Sequence, residues 1–146
     1  MLIKLLPEQV AERWDLIRFA LSESLPPVVI SGPHTYNNIL TAALCERMQV
    51  WFGVGEKDGK RTLDVIIVTT KAEDAVSGSA SLLIYSMYAF SQLAPRDWQE
   101  YYEALSKYAK SVGCGSMSAY TENIKIINAA MQIQGSKQEV YLTIPI

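Results

Sequence analysis

Residues 81–98 read SLLIYSMYAFSQLAPRDW, and the way this stretch folds decides the architecture. Ser81 to Phe90 is an apolar run, and periodicity alone does not separate a buried strand from a buried helix over such a length. A strand is favoured because Ala94 and Pro95 interrupt the pattern before an unmistakable amphipathic helix. Trp98, Tyr102, Leu105, Ala109 and Val112 form the apolar face of that helix. Asp97 with Glu100 makes a capping-box-like pair at its start. Glu103 and Lys107 stand four apart in the favourable order for an ion pair. Gly113 and Gly115 mark its end.

Upstream, Gln49–Glu56 and Arg61–Thr70 are rich in Val, Ile, Trp and Phe. Asp58-Gly59 lies between them, a pair suited to a two-residue hairpin in which both central residues take positive φ. The turn-prone segment Asp74–Ser79 then leads into Ser81. The three runs read as an antiparallel meander. Before the meander, Val10, Trp14, Ile17 and Leu21 share one face of a helix expected from Pro7 to about Leu25, stopped by Pro26-Pro27. Val28–Ile30 is expected to be extended. A second helix follows Thr35, which is expected to cap it, with Tyr36, Ile39, Ala43 and Arg47 in line. Downstream, Met117–Thr121 reads as a strand, Asn123–Ile133 as a helix, and Val140–Ile144 as a final strand.

The 146 residues, close to half of them apolar, suit one domain spanning 1–146 with a real core. A net charge of −2 leaves no electrostatic footprint for nucleic acid, and Lys57, Lys60 and Arg61 read as a solvated hairpin tip. No apolar run reaches the roughly 18 residues needed to span a bilayer, so no membrane association is expected. Met1-Leu2-Ile3-Lys4 lacks the features of a signal peptide, so the chain is expected in the cytoplasm. Cys45 and Cys114 are far apart and read as buried free thiols, and the lone His34, beside Gly32-Pro33, precedes or caps a helix rather than binding metal.

The order of elements resembles the GNAT (Gcn5-related N-acetyltransferase) superfamily, an α/β (α+β) fold with a mixed sheet, the order β-α-α-β-β-β-α-β-α-β and helices on both faces. Local texture is similar to divergent GNAT-like proteins of tailed bacteriophages. It is carried by Arg47–Phe52 before the first meander strand, Asp97-Trp98-Gln99-Glu100 opening a helix, Tyr108–Cys114 closing it, and Met117-Ser118-Ala119-Tyr120 after it. The resemblance implies a cleft between two parted parallel strands that holds acetyl-CoA, with the pyrophosphate at a helix N-terminus. It implies Tyr88, Phe90, Gln92 and Arg96 as cofactor-binding positions, and Tyr120 and Asn123 as candidates for catalysis.

The chain departs from the family pattern at two places. The turn Ser91–Asp97 has no glycine where the family has Arg/Gln-x-x-Gly-x-Gly/Ala; it has Pro95, which lacks an N–H, and Asp97, which repels an anion. An alternative register puts the phosphate loop at Val76–Ala80 and requires Ser81–Leu93 to be helical. Counting four back from Gly135 gives Met131, where many members have a proton-donating tyrosine. Asn123 also reads as a simple helix cap, Tyr120 as a packing residue, and Glu56, Glu73 and Asp74 as solvated carboxylates or possible bases.

Two functions follow. One is a GNAT-fold scaffold with a degenerate acyl-CoA site and no cofactor, virion-associated or assembly-related, whose partner is a phage structural or assembly protein. The other is an acetyl-CoA-dependent N-acyltransferase acting on an amine. Trp51, Trp98, Tyr101, Tyr102 and Tyr108 exceed what one helix–sheet core obviously needs, so some are partner-anchor candidates alongside the core reading. A small regulatory module has no positive sign such as a basic arm.

Overall fold

The computed structural model describes residues 1–29 and 32–146. Ile30, and with it the end of the expected extended piece Val28–Ile30, lies outside the described residues; Val28 sits in a turn and the Val29 N–H donates to the Pro26 carbonyl at 3.0 Å. The sheet is five-stranded in the order β1-β2-β3-β4-β5. Its strands are β1 (Leu2–Lys4), β2 (Met48–Lys57), β3 (Lys60–Glu73), β4 (Ala80–Ala89) and β5 (Ser116–Ala119). β2, β3 and β4 are the expected meander. Asp58 (φ 53°) and Gly59 (φ 73°) form its first turn. Ser81–Ala89 is extended, so the register that needed a helix there is excluded. Val76–Ala80 instead closes the β3–β4 connection, where Asp74 Oδ1 accepts the Val76 and Ser77 N–H groups at 2.7 and 3.0 Å.

Alternation along the strands builds two cores. Val50, Ile66 and Val68 face helices α1 (Pro7–Glu12), α2 (Trp14–Ser22) and α3 (Thr35–Leu44), which contribute Val10, Ile17, Leu21, Ile39 and Ala43. Trp51, Val65, Ile67 and Leu82 face α4 (Pro95–Ser111), which contributes Tyr101, Leu105 and Ala109. Across the α4 face, Trp51 Nε1–H donates to Thr69 Oγ1, and that hydroxyl donates to Gln49 Oε1, both at 2.9 Å. This chain satisfies the polar groups of a fully buried threonine between two strands. Trp51 and Tyr101 are therefore core residues, and Tyr108 packs edge-on against Trp51 at 5.1 Å. None of these three is a free partner anchor.

Several expectations need correction. The first helix breaks at Arg13 (φ −107°, ψ 15°) into α1 and α2 and ends at Ser22 rather than Leu25. Ser22 and Ser24 hydroxyls take the Phe19 and Ala20 carbonyls at 2.6 Å, ending the ladder before Pro26. His34 occupies the N-cap of α3, and Thr35 Oγ1 instead accepts the Gly32 N–H at 2.8 Å. Glu103 does not pair with Lys107, because Gln99 Nε2 donates to its carboxylate at 2.7 Å. Cys45 is exposed, whereas Cys114 is buried. α5 (Ile124–Met131) is shorter than expected and has no buried side chain. The final strand does not form: residues 137–146 are irregular, and Val140, Leu142 and Ile144 are 86%, 76% and 79% exposed. Their alternation has no apolar face to lie against, and period alone does not hold a strand without a partner.

Candidate functional site

The site is built where β4 leaves β5. The parallel ladder runs from Ser81↔Ser116 to Ile84↔Ala119 and stops. β4 continues to Ala89, still paired with β3. Between Ile84, opposite Thr69, and Ser86, opposite Val68, Tyr85 is an extra residue. This β-bulge bends the strand and resets its alternation. Leu82 and Ile84 face α4 before it and Met87 after it, while Tyr85 and Tyr88 pack on the other core. Burial raises the Tyr85 hydroxyl pKa. Beyond the bulge, the Phe90 N–H donates to the Asp64 carbonyl at 2.9 Å. Antiparallel alternation then turns the peptide groups of Met87 and Ala89 away from β3, into the opening. The result is a V-shaped cleft edged by backbone donors and acceptors.

Solved structures with a similar fold include AAC(6')-Iy in complex with the bisubstrate analogue CoA-S-monomethyl-acetylneamine (TM-score 0.69, 13% identity, 100% of this chain and 97% of that chain covered). They include a ribosomal-protein-alanine N-acetyltransferase from Brucella melitensis biovar Abortus (TM-score 0.65, 10% identity, 100% and 99% covered). A GNAT family acetyltransferase from Staphylococcus aureus also superposes (TM-score 0.61, 9% identity, 100% and 98% covered). The chain has the GNAT acetyltransferase fold. The sequence matches no family model and no curated protein.

The family resemblance implied a pyrophosphate seat at the turn between β4 and the next helix, and here the helix start at that turn satisfies itself. Ala94 is the N-cap of α4, and its N–H donates to Asp97 Oδ2 at 2.9 Å. Asp97 is thus the N3 residue, three positions later than the sequence reading placed it, and it closes the helix start from within. Pro95 has no N–H. The Asp97 N–H turns back to the Ala94 carbonyl at 2.9 Å. Among the described residues the Ser91, Gln92, Leu93 and Arg96 N–H groups of this segment are left without an acceptor. α1 opens the same way, with the Leu6 N–H on Gln9 Oε1 at 2.8 Å before Pro7. The device is a helix start used twice in this chain.

The remaining sequence candidates are dispersed. Gln92 and Arg96 are exposed near the turn, and neither side chain makes a hydrogen bond among the described residues. Tyr88 meets Phe19 at 5.6 Å and Phe90 at 5.0 Å, both edge-on, so these rings form a ladder on the α2 face. Tyr120 follows β5 at the cleft mouth, half-exposed, with its ring 5.4 Å from Tyr141. Asn123 Oδ1 accepts the Lys125 N–H at 3.0 Å and so caps α5. Met131 is exposed on α5. Glu73 pairs with Lys71 at 3.2 Å; it and Asp74 lie at the end of the sheet opposite Met87 and Ala89. Glu56 sits in the β2–β3 hairpin opposite Arg61. Tyr101, which the sequence reading left off the helix face, is buried, and its pKa is pushed up to about 12 by burial, then by Asp97, Asp64 and Glu100. Among the described residues no cluster of His, Cys, Asp or Glu is arranged to hold a metal ion, and no helix is long and apolar enough to cross a membrane.

Proposed function

We propose that this chain is a non-catalytic GNAT-fold protein that docks onto another polypeptide and does not hold acyl-CoA. The first turn of α4 carries this reading. A proline without an N–H and a carboxylate turned back onto the Ala94 N–H make the helix start itself a poor cradle for a pyrophosphate. Acetyl-CoA therefore does not fit this turn, and no chemistry is routed through it. The docking side of the proposal is supported by the C-terminal third. α5 buries no side chain, and the apolar residues of 140–146 are exposed, as surfaces awaiting a partner are. On this reading the partner is a structural or assembly protein of a phage particle and the chain sits in the virion or the host cytoplasm; the local resemblance to tailed-phage proteins supports it.

The test is fractionation of particles on a density gradient. Full-length chain is expected to co-sediment in fixed copy number, and chain ending at Glu139 to stay at the top. Full-length protein found only as free monomer overturns the reading. A second reading is N-acyl transfer from acetyl-CoA to an amine. The parting of β4 from β5, with Met87 and Ala89 peptide groups open, favours it, as does the acetyltransferase identity of the similar structures.

A further inference from the structure

The α4 face of the sheet carries a second feature, toward the hairpin end of β2 and β3. Gly53 pairs with Val65 and Val54 with Leu63, so Asp64 is an extra residue on β3. This β-bulge breaks the alternation. Leu63 packs on the α1–α3 side and Val65 on the α4 side. The Asp64 carboxylate also lies on the α4 side, where it extends over Gly55; a Cβ at Gly55 would overlap Asp64 Oδ2. Thr62 Oγ1 donates to Asp64 Oδ1 at 2.9 Å. Tyr101 of α4 brings its hydroxyl over Gly53, 2.8 Å from where a Cβ would stand. The two glycines are two positions apart along β2, a step of about 7 Å. Hydroxyl and carboxylate therefore flank a gap close to what one nitrogen bridges with two hydrogen bonds.

Tyr101 is only 3% exposed, yet its hydroxyl makes no hydrogen bond among the described residues. Among the described residues no side-chain N or O sealed from solvent lacks a partner, so this hydroxyl is not sealed and opens toward the gap. A buried hydroxyl costs stability unless something bonds it. Asp97 stands one helical turn before Tyr101 on the same face of α4. Burial first, then Asp97, Asp64 and Glu100, push the Tyr101 pKa up to about 12, so three carboxylates lie near a hydroxyl that stays protonated at neutral pH. Glu100 Oε1 is matched by the Met1 ammonium at 2.9 Å. Asp64 and Asp97 are half-buried, and among the described residues neither has a cation within 4.0 Å.

We propose that this niche binds a primary ammonium group on an unbranched alkyl chain, which donates to Asp64 Oδ2, Asp97 Oδ1 and Tyr101 Oη. The oxygens left free select the head group. Thr62 engages Asp64 Oδ1 and the Ala94 N–H engages Asp97 Oδ2, so neither carboxylate offers both oxygens to a planar guanidinium fork. A compact ammonium needs one oxygen from each. Among the described residues the acidic groups are not arranged to hold a metal ion. A free alkylamine and a lysine side chain of another polypeptide present the same group. The site lies over β2 and β3, away from the parting of β4 and β5, and does not rest on what the V binds.

The test is a chemical-shift titration of the full chain at low salt with n-butylammonium chloride. Butylguanidinium chloride, and sodium chloride at equal ionic strength, run in parallel. Saturable shifts are expected at Gly53, Gly55, Asp64 and Tyr101, about tenfold weaker or worse with butylguanidinium and absent with sodium chloride. Nα-acetyl-lysine methylamide separates the sources: binding tighter than butylammonium assigns a lysine side chain, and binding no tighter assigns a free amine. Tyr101→Phe removes a hydroxyl that has no partner, so it is expected to melt no lower than the parent yet bind about tenfold more weakly. Asp64→Asn keeps an oxygen for Thr62 and is expected to weaken binding at least as much. Glu23→Gln makes the same charge change at the exposed end of α2, on the other face of the sheet, and is expected to bind as the parent does. No saturable shift at these four residues, or equal shifts with butylguanidinium, overturns the proposal. Undiminished binding to Tyr101→Phe and Asp64→Asn overturns it equally.

Discussion

Gly53→Ala is expected to destabilise the fold although glycine is generally the weaker strand residue. Gly53 lies in β2, paired with Leu2 on one side and Val65 on the other, so its backbone is held from both edges. A Cβ there would lie 2.3 Å from Val65 Cγ1, 2.8 Å from Tyr101 Oη and 3.0 Å from Tyr101 Cζ. Val65 and Tyr101 are both buried, so neither neighbour moves freely. Overpacking of this kind costs about 1–3 kcal/mol. Stiffening the unfolded chain returns roughly 0.4–1 kcal/mol. The net loss is about 1.5 kcal/mol. With an unfolding entropy of about 2.1 cal/mol/K per residue, hence roughly 0.3 kcal/mol/K for the chain, the midpoint falls by about 5 °C. Differential scanning calorimetry measures this. In a Tyr101→Phe background, which removes the Oη contact, the same substitution should cost about 0.5–1 kcal/mol less. Gly115→Ala is the control: a Cβ there meets nothing within 4 Å, so no loss is expected. A Gly53→Ala protein that melts at or above the parent refutes the packing of α4 on β2.

Thr69→Val removes the hydroxyl that links Trp51 to Gln49 and strands the indole N–H in the core; a loss of about 2–3 kcal/mol is expected by urea unfolding, and a loss under about 0.5 kcal/mol contradicts the hydrogen-bond chain. Asp74 has its pKa lowered by the Ser77 and Val76 backbone N–H groups, so its contribution to stability is complete above the ordinary carboxylate range and is lost as pH falls through the depressed value; the melting difference between parent and Asp74→Asn should exist at neutral pH and vanish in acid. Leu142→Asp, at an exposed position in the irregular tail, is expected to change stability by no more than about 0.5 kcal/mol, and a larger loss means the tail is a buried strand after all.

The meander was legible because its chemistry is local. Asp58-Gly59 takes the two positive φ values its sequence suggests, and the β-branched runs on either side pair in register. Strand β4 was legible only through its neighbours, since Pro95 forced a new element to begin after it. The bulge at Tyr85, which opens the cleft, left no mark in the sequence: it is set by how β4 is pinned to β3, a tertiary effect. The helix-start residue was misplaced for a similar reason. Asp97 reads as an N-cap, but Pro95 prefers the first helical position, which shifts the cap to Ala94 and turns Asp97 back onto it. The tail failed in the opposite direction. Val140, Leu142 and Ile144 have a strand's period, but alternation specifies a face and supplies no partner. Of the residues the family resemblance singled out, Tyr88 and Phe90 sit on one face in a ring ladder, and Asn123 is accounted for by the cap it makes.

The most direct measurement is a titration of the full chain with acetyl-CoA, followed by calorimetry and by the backbone amides of Ala94 and Arg96. With the α4 turn closed by Asp97, neither amide should shift and the melting temperature should stay where it is. Saturable movement of both amides, with stabilisation approaching about 2.7 kcal/mol at a hundredfold excess over Kd, would show the pyrophosphate seat to be open and contradict the account.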